Sequence, residues 1–586
     1  MQKQCQNCKQ YFQIEPDDLN FYKKMEAPPP TFCWLCRYQR RLMFLNERTL
    51  YKRACGLCGK DMVTIFSPDK PHTVYCGPCW YSDKWDPMDY GMEYDSTKNF
   101  FVQFKELLEK TPCMALTNDT PTLVNSDYVN HAGSAKNCYL VFSSDLCENV
   151  LYSKIVVNVK DSMDIVISGE SELCYQNVNV GKSSRVLFSL DCQSCHDVYF
   201  SKGLAGCSNC FGCANLRGKR YCVWNVQYSK EEYEKKMREF RLDSYEKVQK
   251  LKKQAIEHWM KFPQKYMHGF QNTNATGDYV YFSKNAQNCY QARHLEDCKF
   301  CQNISMSPAK DCYDITEWGN GIELCYDTIT TGEGTNNIKF CFGAWKSARN
   351  VEYSMCAITS KNIFGCANIR NKEYCVLNKR YEKEEYEALR KQIIEDMNKR
   401  PYIDEKERVF AYGEFFPYDL APCDYNESGA QDHFPLNKEE VLKKGWRWHE
   451  AEPSKHKPTI QIYELPDSIK DAREDIVKEI IACGECQKPF KIIQQELGLL
   501  RRLNVPLPRK CFECRYQDLN KRVNKPQLFQ RQCECAGSHD KKRIYKNTAT
   551  HIHHGEEHCP NEFQTTYSSD RLEIIYCETC YQAEVA

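Results

Sequence analysis

Paired cysteines constrain this chain more than any other feature. Its 586 residues include 37 Cys, and near both ends the cysteines form pairs that are followed by a second pair downstream. Two residues between thiolates let one tight turn direct both sulfurs at a single tetrahedral ion, and the second pair closes the site. Such pairs predict small modules that each fold around zinc. The predicted ligand sets are Cys5, Cys8, Cys33 and Cys36; Cys55, Cys58, Cys76 and Cys79; Cys483, Cys486, Cys511 and Cys514; and Cys533, Cys535, Cys577 and Cys580.

The fourth set departs from the pattern of the others. Only one residue separates Cys533 from Cys535, and a segment rich in histidine precedes the second pair. One of its side chains could replace Cys535 or hold a second ion, and a histidine-rich exposed loop is the alternative interpretation. The sequence as a whole predicts about four zinc ions per chain. The side chains in question are His539, His551, His553, His554, His558 and Cys559.

The residues that follow the second pairs favour a helix. RYQRRLMFLNERTLYKR comes after Cys36 and RYQDLNKRV comes after Cys514, with few helix-breaking residues in either stretch. Thiolate ligands at the start of a helix are stabilised by the helix dipole. A cysteine knuckle, a hairpin and a helix that carries the last two ligands make a treble-clef-like module, which we predict at both ends.

The two ends of the chain are copies of each other. A shift of 478 residues places Cys5 on Cys483 and Cys55 on Cys533, and keeps the cysteines between them in step. The fourth module then carries an insertion of 23 residues, because Cys76 reaches Cys577 only after a shift of 501. The shift of 478 also superposes Arg37-Tyr38-Gln39 on Arg515-Tyr516-Gln517.

The middle of the chain repeats with a twelve-residue period. A unit of this length is too short for a strand and a helix, and it suits one short strand and one turn. Stacked units of this kind form a β-solenoid with an inward ladder of small residues, and whether one unit or two complete a coil stays open. The first ladder is Ser126, Cys138, Val150, Ser162, Cys174, Val186, Val198, Cys210 and Cys222; the second is Gly277, Cys289, Cys301, Tyr313, Cys325, Lys339, Val351, Ile363 and Cys375, with a loop insertion at 330–335.

Several cysteines of the first series have the spacing of metal ligands. Cys210 falls on the ladder, however, and Cys195 and Cys207 are one repeat period apart, so stacking accounts for them without a metal. Free Cys is among the residue types most often buried, and we predict that these thiols pack in the core. The set is Cys192, Cys195, Cys207, Cys210 and Cys213.

The two repeat series are also copies of each other. SDYVNHAGSAKNCY at 126–139 matches GDYVYFSKNAQNCY at 277–290, and FGCANLR at 211–217 matches FGCANIR at 364–370. The predicted fold is multidomain and mainly β, with two tandem β-solenoids of 12-residue units flanked by four-cysteine treble-clef-like zinc modules and joined by helical linkers. The predicted segments are zinc modules 1 and 2 at 1–50 and 51–95, the first solenoid at 122–228, a helical linker at 229–268, the second solenoid at 273–381, a helix at 382–400, an irregular connector at 401–480, and zinc modules 3 and 4 at 481–530 and 531–586.

Positive charge is concentrated in the terminal modules. The net charge is +1, yet residues 1–60 hold 11 basic and 5 acidic side chains and residues 481–550 hold 15 and 6, which leaves −14 for the remainder. Basic ends favour a polyanionic partner, with cations on phosphates and Tyr38 or Tyr516 stacked on bases. The alternative is that these charges only solvate a small zinc fold. The candidate contacts are Arg37, Arg40, Arg41, Arg48, Arg501, Arg502, Arg509 and Lys510.

Three stretches carry a resemblance to a known group of proteins. They are RYQRRLMFLNERTLYKRACGLCGKDMVTIFSPDK with YCGPCWYSDKWDP at 37–87, DYNESGAQDHFPLNKEE at 424–440, and the segment 465–515. The chain resembles large, uncharacterised multi-zinc-finger proteins, treble-clef-like or zinc-ribbon-like, of candidate-phylum ultra-small bacteria. The resemblance implies zinc, a cytoplasmic location and no particular activity. This chain differs from that pattern at the fourth module, where Cys535 is displaced and the histidine-rich insertion intrudes.

The sequence favours a binding protein over an enzyme. It contains no Gly-rich phosphate loop, no nucleophile elbow and no His-Glu-x-x-His helix, and the predicted zinc sites are closed. We therefore predict a zinc-stabilised recognition scaffold that binds nucleic acid or a ribonucleoprotein through its basic zinc modules. The alternative is a protein–protein scaffold that binds through the solenoid faces, and an enzyme is the least favoured hypothesis.

Neither a membrane segment nor a secretory signal is visible. The chain has no apolar run of about 18 residues, and residues 1–13 lack the apolar region of a signal peptide. We expect a cytoplasmic protein without a membrane partner or a small-molecule substrate. The identity of the partner and the oligomeric state stay open.

Overall fold

The computed structural model describes residues 1–452, 454, 456–536 and 545–585. The chain is multidomain: it folds into two compact units, each of which combines one end of the chain with one repeat series. The first unit consists of Met1–Thr117 and His268–Glu450, and the second unit consists of Asn118–Met267 and Ala451–Ala586. The N-terminal modules therefore fold with the second repeat series and the C-terminal modules with the first. His539 lies outside the described residues.

The first repeat series forms a parallel sheet with a constant register, and we call residues 128–223 the first array. Tyr175 pairs with Met163 on one side and with Leu187 on the other. One repeat period therefore separates each of these residues from its parallel partner on the neighbouring strand. The strands are Tyr128–Ala132, Ala135–Lys136, Tyr139–Asp145, Cys147–Glu172, Tyr175–Gly181, Ser184–Leu187, Leu190–Gln193, His196–Tyr199, Ser208–Phe211 and Arg220–Val223, and the antiparallel strand Val226–Gln227 ends the array.

The coil turns because every third residue has a left-handed backbone. From His131 to Phe200 the positive φ values recur at steps of three, for example 53° at Asn137, 52° at Leu140 and 51° at Ser143. Each twelve-residue repeat thus has four corners. Left-handed backbone is costly for residues other than Gly, and least so for Asn and Asp. One corner carries a ladder of these residues, with side-chain contacts of 3.2, 3.1 and 2.9 Å along Asn125, Asn137, Asn149 and Asp161.

Small side chains fill the interior of the first array. The predicted ladder from Ser126 to Cys222 is buried at every position. A buried serine also satisfies the backbone: the Ser162 hydroxyl accepts the N–H of Cys174 at 3.0 Å and donates to the carbonyl of Lys160. The cysteines with metal-like spacing donate their thiols to the carbonyl two residues before them, which is how they pack in the core: Cys192, Cys195, Cys207, Cys210 and Cys213.

The second repeat series departs from the predicted register. We call residues 269–376 the second array. The step between parallel partners is twelve from Lys284 to Glu296, fourteen from Glu296 to Lys310, and thirteen from Lys310 to Glu323. Two further steps of thirteen follow, and the step then returns to twelve. The predicted single insertion at 330–335 is therefore wrong, because the extra residues are spread over four repeats.

The extra residues fit because a corner can hold two left-handed residues in succession. Lys346 and Ser347 have φ values of 55° and 60°, and Glu333 and Gly334 have values of 56° and 70°. One consequence is that the predicted second ladder joined two different ladders. The inward ladder runs through Cys312, Cys325, Ile338 and Val351, so that Tyr313 and Lys339 are each one position out of step.

The strands of the second array also close a small ring. Leu295–Lys299 and Gln302–Ile304 each pair in parallel with both Lys284–Arg293 and Ala309–Gly319. The remaining strands of the array are Gly269–Phe270, Thr273–Tyr281, Ile322–Gly332, Asn336–Lys339, Phe342–Trp345, Arg349–Glu352, Met355–Ile358, Lys361–Phe364, Ala367–Arg370 and Glu373–Val376, and the antiparallel strand Lys379–Arg380 ends it.

Short helices and hairpins surround the arrays. Within the described ranges no helix is both long and apolar enough to cross a membrane. The α-helices are Pro16–Lys24, Trp34–Leu42, Gly77–Trp80, Phe100–Lys110, Lys383–Lys399, Gly429–His433 and Lys438–Lys443 in the first unit, and Lys230–Glu239, Tyr245–Trp259, Gln494–Leu503, Phe512–Asn520 and Glu578–Val585 in the second. The short strands are Gln2–Gln4, Tyr11–Gln13, Tyr51–Ala54, Asp61–Thr64, Val74–Tyr75, Cys113–Met114, Tyr402–Ile403 and Val409–Phe410 in the first unit, and Gln264–Lys265, Ile481–Ala482, Pro489–Phe490, Phe529–Gln532, Glu562–Thr565 and Ile575–Tyr576 in the second.

A buried asparagine allows a test of the hydrogen bonds between side chains and backbone inside the first array. Asn177 donates to the carbonyl of Val186 at 2.6 Å and accepts the N–H of Ser189 at 2.9 Å. An orphaned buried donor costs about 1–3 kcal/mol, so Asn177→Leu should lower the thermal midpoint of unfolding. Asn177→Ser should lower it less, because a serine on this ladder can accept the same bond, as Ser153 does from Ile165. Equal midpoints for the two variants would contradict this account.

Candidate metal centres

Module 1 shows how the local fold positions four thiols. A hairpin carries Cys5 and Cys8 in its loop. Cys33 is the N-cap residue of the helix Trp34–Leu42, which places Cys36 in the first turn. The sulfurs of Cys8 and Cys33 are 3.7 Å apart. The helix therefore brings the second pair of thiols onto the knuckle, as the sequence predicts.

Modules 2 and 3 repeat this arrangement. Cys76 is the N-cap residue of the helix Gly77–Trp80, and its sulfur lies 3.9 Å from that of Cys58. In module 3, Cys511 is the N-cap residue of the helix Phe512–Asn520. The sulfurs there are 3.8 Å apart for Cys483 and Cys514 and 3.7 Å apart for Cys486 and Cys511.

These sulfur separations fit a tetrahedral zinc ion. Two thiolates, each about 2.3 Å from zinc and separated by the tetrahedral angle, lie about 3.8 Å apart. In each predicted set of modules 1 to 3, all four sulfurs lie within 4.8 Å of one another. Four thiolates around one ion leave no open position, so zinc bound here would stabilise the module and perform no catalysis.

A backbone hydrogen bond to sulfur recurs in all four modules. The cysteine at the start of the second pair donates its N–H to the sulfur of the first cysteine of the module, as Cys33 does to Cys5 at 3.2 Å. Burial raises the pKa of such thiols, but N–H donation outweighs it and lowers the pKa of Cys55 to about 6 and that of Cys483 to about 7. Lower thiol pKa values favour the thiolate that binds metal. The other donors and acceptors are Cys76 to Cys55 at 3.3 Å, Cys511 to Cys483 at 3.2 Å and Cys577 to Cys533 at 3.2 Å.

Module 4 corrects one predicted ligand. The set of four thiols within 4.8 Å of one another is Cys533, Cys559, Cys577 and Cys580, so Cys559 takes the place predicted for Cys535. The reason is that the insertion lies inside the knuckle. Cys559 stands three residues before the strand Glu562–Thr565, just as Cys58 of module 2 stands three residues before its own strand.

Cys535 has other neighbours in module 4. It forms a second compact donor group with His551, His554 and Cys580, in which the donor atoms again lie within 4.8 Å of one another. His553 approaches Cys580 and Cys559, with Nε2 3.3 Å and 3.5 Å from the two sulfurs. The ring of His558 bonds the carbonyl of Cys559 at 3.0 Å. Cys580 thus belongs to both donor groups.

The arginines predicted to contact phosphate in module 1 are buried in the first unit. Arg37, Arg40 and Arg41 are 2%, 0% and 0% exposed. Arg37 donates from Nη2 and Nε to Asp314 at 2.7 and 3.0 Å, and Arg41 bonds Asp327 at 2.5 Å. These guanidinium groups fix the helix Trp34–Leu42 to the second array, and phosphate cannot reach them there.

The same ion pair recurs in the second unit. Arg515, the counterpart of Arg37, bonds Asp164 of the first array at 2.9 Å and Glu496 at 3.2 Å. Its Nη1 donates to the carbonyl of Lys510, as Nη1 of Arg37 donates to that of Phe32. Both units therefore dock the ligand-bearing helix on an array through a buried arginine and an aspartate.

The other predicted phosphate contacts also bind groups of this chain. Arg509 donates to backbone carbonyls, among them that of Leu465 at 3.2 Å. Tyr38 and Tyr516 are 1% and 7% exposed, so neither ring is open for stacking. The ion pairs are Arg48 with Asp432, Arg501 with Glu474, Arg502 with Asp161, and Lys510 with Glu485 and Asp518.

Removing one partner of the buried ion pair between Arg515 and Asp164 should lower the free energy of unfolding substantially. Arg515→Met would leave Asp164 and Glu496 buried without a cation, which costs about 3–5 kcal/mol and lowers the thermal midpoint by about 10 °C. Adding Asp164→Asn and Glu496→Gln should restore much of the midpoint, because no uncompensated charge then remains. Metal content should stay unchanged throughout. If the Arg515→Met variant has the same thermal midpoint as the wild type, the pair of Arg515 and Asp164 does not hold the helix on the array.

A cationic cleft lies beside this docking site in the second unit. It has a volume of about 440 Å³ between the first array, the helix Tyr245–Trp259 and the segment 506–522. Nζ of Lys252 is 2.5 Å from Oε1 of Gln176 and 4.9 Å from the ring centre of Phe188. Arg522 lines the cleft as well. Among the described residues, neither cation has a carboxylate within ion-pair distance.

Sequence reasoning named Arg509 and Lys510, which line the cleft, but it missed Lys252 and Arg522, and it named Cys559 only as one of six alternatives at the fourth site. Lys252 and Cys559 each left a signal. Val248, Leu251, Ala255 and Trp259 are buried at helical spacing, which places Lys252 at the edge of the packed face instead of on a solvated one. For Cys559 the signal is a shift of 501 residues. This shift places Cys58 on Cys559, just as it places Cys76 and Cys79 on Cys577 and Cys580.

Comparison with known proteins does not assign this chain to a family. No protein family and no curated protein matches this chain. Among solved structures, a protein from Desulfovibrio desulfuricans G20 described as a “putative acetyltransferase” aligns over 50% of this chain and 75% of its own, at 10% identity and a TM-score of 0.10. A TM-score this low says nothing about the fold or activity of this chain.

Proposed function

We propose that this chain is a zinc-stabilised, non-enzymatic recognition scaffold that binds nucleic acid at the cationic cleft of the second unit, with its arrays as β-solenoids. The observation that carries the proposal is the pair of cations, Lys252 and Arg522, that line a cleft with aromatic side chains and lack a carboxylate partner among the described residues. Phosphates pair with such cations and bases stack on such rings. The volume of about 440 Å³ is in the ordinary range of ligand sites.

The corresponding region of the first unit supports this proposal by contrast. Tyr313 and Tyr326 are parallel partners, as are Met163 and Tyr175, so Asp327 corresponds to Gln176. In the first unit Asp327 neutralises Arg40 and Arg41, and Glu414 adds a second carboxylate at 3.0 Å from Arg40. The first unit thus supplies its own anions at this place.

The second unit has a different set of charges at this place, where Asp518 lines the cleft and pairs with Lys510 at 2.7 Å. The counterparts of Arg40 and Arg41 are Asp518 and Leu519, and Gln176 replaces the aspartate. Lys252, on the helix Tyr245–Trp259, and Arg522, two residues after the helix Phe512–Asn520, line the cleft as cations without an ion-pair partner among the described residues. An external anion would complete the charge balance that the first unit achieves internally. The proposed contact thus moves from the helix arginines to Lys252 and Arg522.

Binding should depend on the two cleft cations. The probe is a fluorescein-labelled single-stranded RNA of about 12 nucleotides, followed by anisotropy at about 50 mM salt. Lys252→Met and Arg522→Gln should each weaken binding about tenfold or more, as expected for the loss of a charge-assisted contact. Lys250→Met is the matched control, because Lys250 is exposed on the same helix and does not line the cleft. Competition by AMP but not by adenosine would locate the phosphate contact.

Two results would overturn the nucleic-acid proposal. One is absence of binding by the wild-type chain at low salt. The other is equal affinity of the wild type, Lys252→Met and Arg522→Gln, which would place any binding outside the cleft. The slope of affinity against salt should also flatten in the two cleft variants, because each phosphate contact releases counterions.

The same cleft predicts a pH dependence. Burial, with a contribution from nearby Arg522, lowers the pKa of Lys252 to about 7. A phosphate binds the ammonium form, which is present below this pKa and lost above it, so affinity should fall as the pH rises from about 6 to about 8.5. Lys252→Arg keeps its charge over this range and should bind with little pH dependence. A pH profile of Lys252→Arg identical to that of the wild type would contradict the assignment to Lys252.

A protein partner is the second candidate, and a separate observation favours it. Exposed side chains of alternating charge follow one strand edge of the first array, and Lys136 bonds Glu148 at 2.8 Å while Lys160 approaches Glu148 at 4.0 Å. Rows of mixed charge suit a folded protein better than a polyanion. Array-face variants such as Lys136→Glu with Glu148→Lys should then disturb capture of a protein and leave RNA binding unchanged.

A further inference from the structure

The insertion of module 4 folds its histidines onto the thiols. Sγ of Cys535 is 3.3 Å from Nδ1 of His551 and 3.4 Å from Nε2 of His554. Sγ of Cys580 is also 3.4 Å from Nε2 of His554. Both cysteines are fully buried and His551 is 2% exposed. The insertion thus builds a group of four donors, three buried and His554 half-buried, beside the four-cysteine set.

The outer nitrogens of the two rings determine their tautomers. Nε2 of His551 is 2.8 Å from Oε1 of Glu584, and Nδ1 of His554 is 2.7 Å from the carbonyl oxygen of Glu557. A carboxylate and a carbonyl only accept hydrogen bonds, so each of these nitrogens carries the proton. In neutral rings the inner nitrogens, Nδ1 of His551 and Nε2 of His554, then hold lone pairs.

Those two lone pairs face each other at close range. Nδ1 of His551 and Nε2 of His554 are 3.0 Å apart, with the sulfurs of Cys535 and Cys580 at the next corners. Lone pairs in a buried group repel unless a cation lies between them. Two nitrogens about 2.0–2.1 Å from zinc would be about 3.3 Å apart, and a nitrogen and a sulfur about 3.6 Å apart. The observed separations are close to these values.

We propose that module 4 holds two metal ions that share the Cys580 thiolate. One ion occupies the four-cysteine set with Cys559, and the other is held by Cys535, His551, His554 and Cys580. Two thiolates with two imidazoles at tetrahedral spacing are the donors of zinc. Both sets have four protein donors, so both ions are structural.

The surroundings of the second ion hold its ligands in place. Glu584, whose side chain is fully buried, accepts hydrogen bonds from Tyr545 at 2.7 Å and from the Thr548 N–H at 2.8 Å as well as from His551. Asn547 donates to Sγ of Cys535 at 3.0 Å. Carboxylates that fix a ligating histidine, and donors to a ligating sulfur, are the usual supports of a metal site. The second ion would in this way fasten the inserted segment to the module.

Metal counting on the full chain tests this proposal. Native mass spectrometry of protein produced with zinc should show five ions per chain, one more than the four-cysteine sets of the four modules hold. His551→Ala and His554→Ala should each lose one ion. The matched control His558→Ala should keep all five. Within the described residues, the ring of His558 bonds the carbonyl of Cys559 and belongs to neither of the two proposed ligand sets. Four ions in the wild type, or five in both ligand variants, would overturn the proposal.

The bridge is tested by a different loss. Cys580→Ser removes a ligand of both ions and should release two ions. Cys559→Ser removes a ligand of the four-cysteine set only. If a ligand variant fails to fold, X-ray absorption at the zinc edge of the wild type still decides. Two zinc ions, each about 2.3 Å from one bridging sulfur at the tetrahedral angle, lie about 3.8 Å apart and are detected as metal neighbours. His553→Ala should keep both ions. Loss of an ion in His553→Ala with none lost in His551→Ala would assign the second site to other ligands and refute the one proposed.

Discussion

The buried pair between an arginine and an aspartate connects metal binding to the rest of each unit. A helix with two cysteine ligands at its start begins at the metal site, and the arginine one residue after the last ligand reaches the array. A guanidinium that is taken out of water needs a partner in the right place, since an unpaired buried charge costs several kcal/mol. Metal site, helix and array therefore depend on one another: a metal bound by the four thiols would fix the helix start, and the helix sets where Arg37 or Arg515 points.

The two copies of this interaction have diverged in a consistent way. In the first unit two more arginines and two more carboxylates make a closed network of charges, with Arg40, Arg41, Asp327 and Glu414. In the second unit the corresponding helix positions hold Asp518 and Leu519, and the array position holds Gln176. Both sides of the network differ together: the helix lacks two arginines where the array lacks an aspartate. The first unit thus neutralises its arginines internally, whereas the second unit has a cleft that is lined with cations.

Much of the local structure could be predicted from sequence, because short-range rules determine it. Paired cysteines located three of the four thiol sets, and the residues after Cys36 and Cys514 indicated helices, which the structure contains at Trp34–Leu42 and Phe512–Asn520. The inward face of the first array followed from a strict period. What the sequence could not show was the partner of each buried charge: Arg37 reads as an exposed cation unless Asp314, which is 277 residues away, is known to lie beside it.

Two errors of sequence reasoning have a common physical origin. The second array takes extra residues at its corners, where one more left-handed residue such as Ser347 leaves both neighbouring strands paired. Module 4 takes its insertion inside the knuckle, where the loop between Cys533 and Cys559 can lengthen without moving the thiols. In both cases the chain lengthened at a position that three-dimensional contacts leave free. Spacing along the sequence therefore changed while the spacing of the sulfurs and of the strands did not.

The crossed assembly of the units has a consequence for how the chain is made. Asp314 follows Arg37 by 277 residues, and Arg515 follows Asp164 by 351. At synthesis rates of about 5–20 residues per second, the first modules spend about 14 to 55 s outside the ribosome before their array exists. The first array is complete long before the helix that will cover it. Neither half of the gene encodes a whole unit, so a chain that stops early exposes a bare array or unpaired arginines, and only a full-length chain can conceal both.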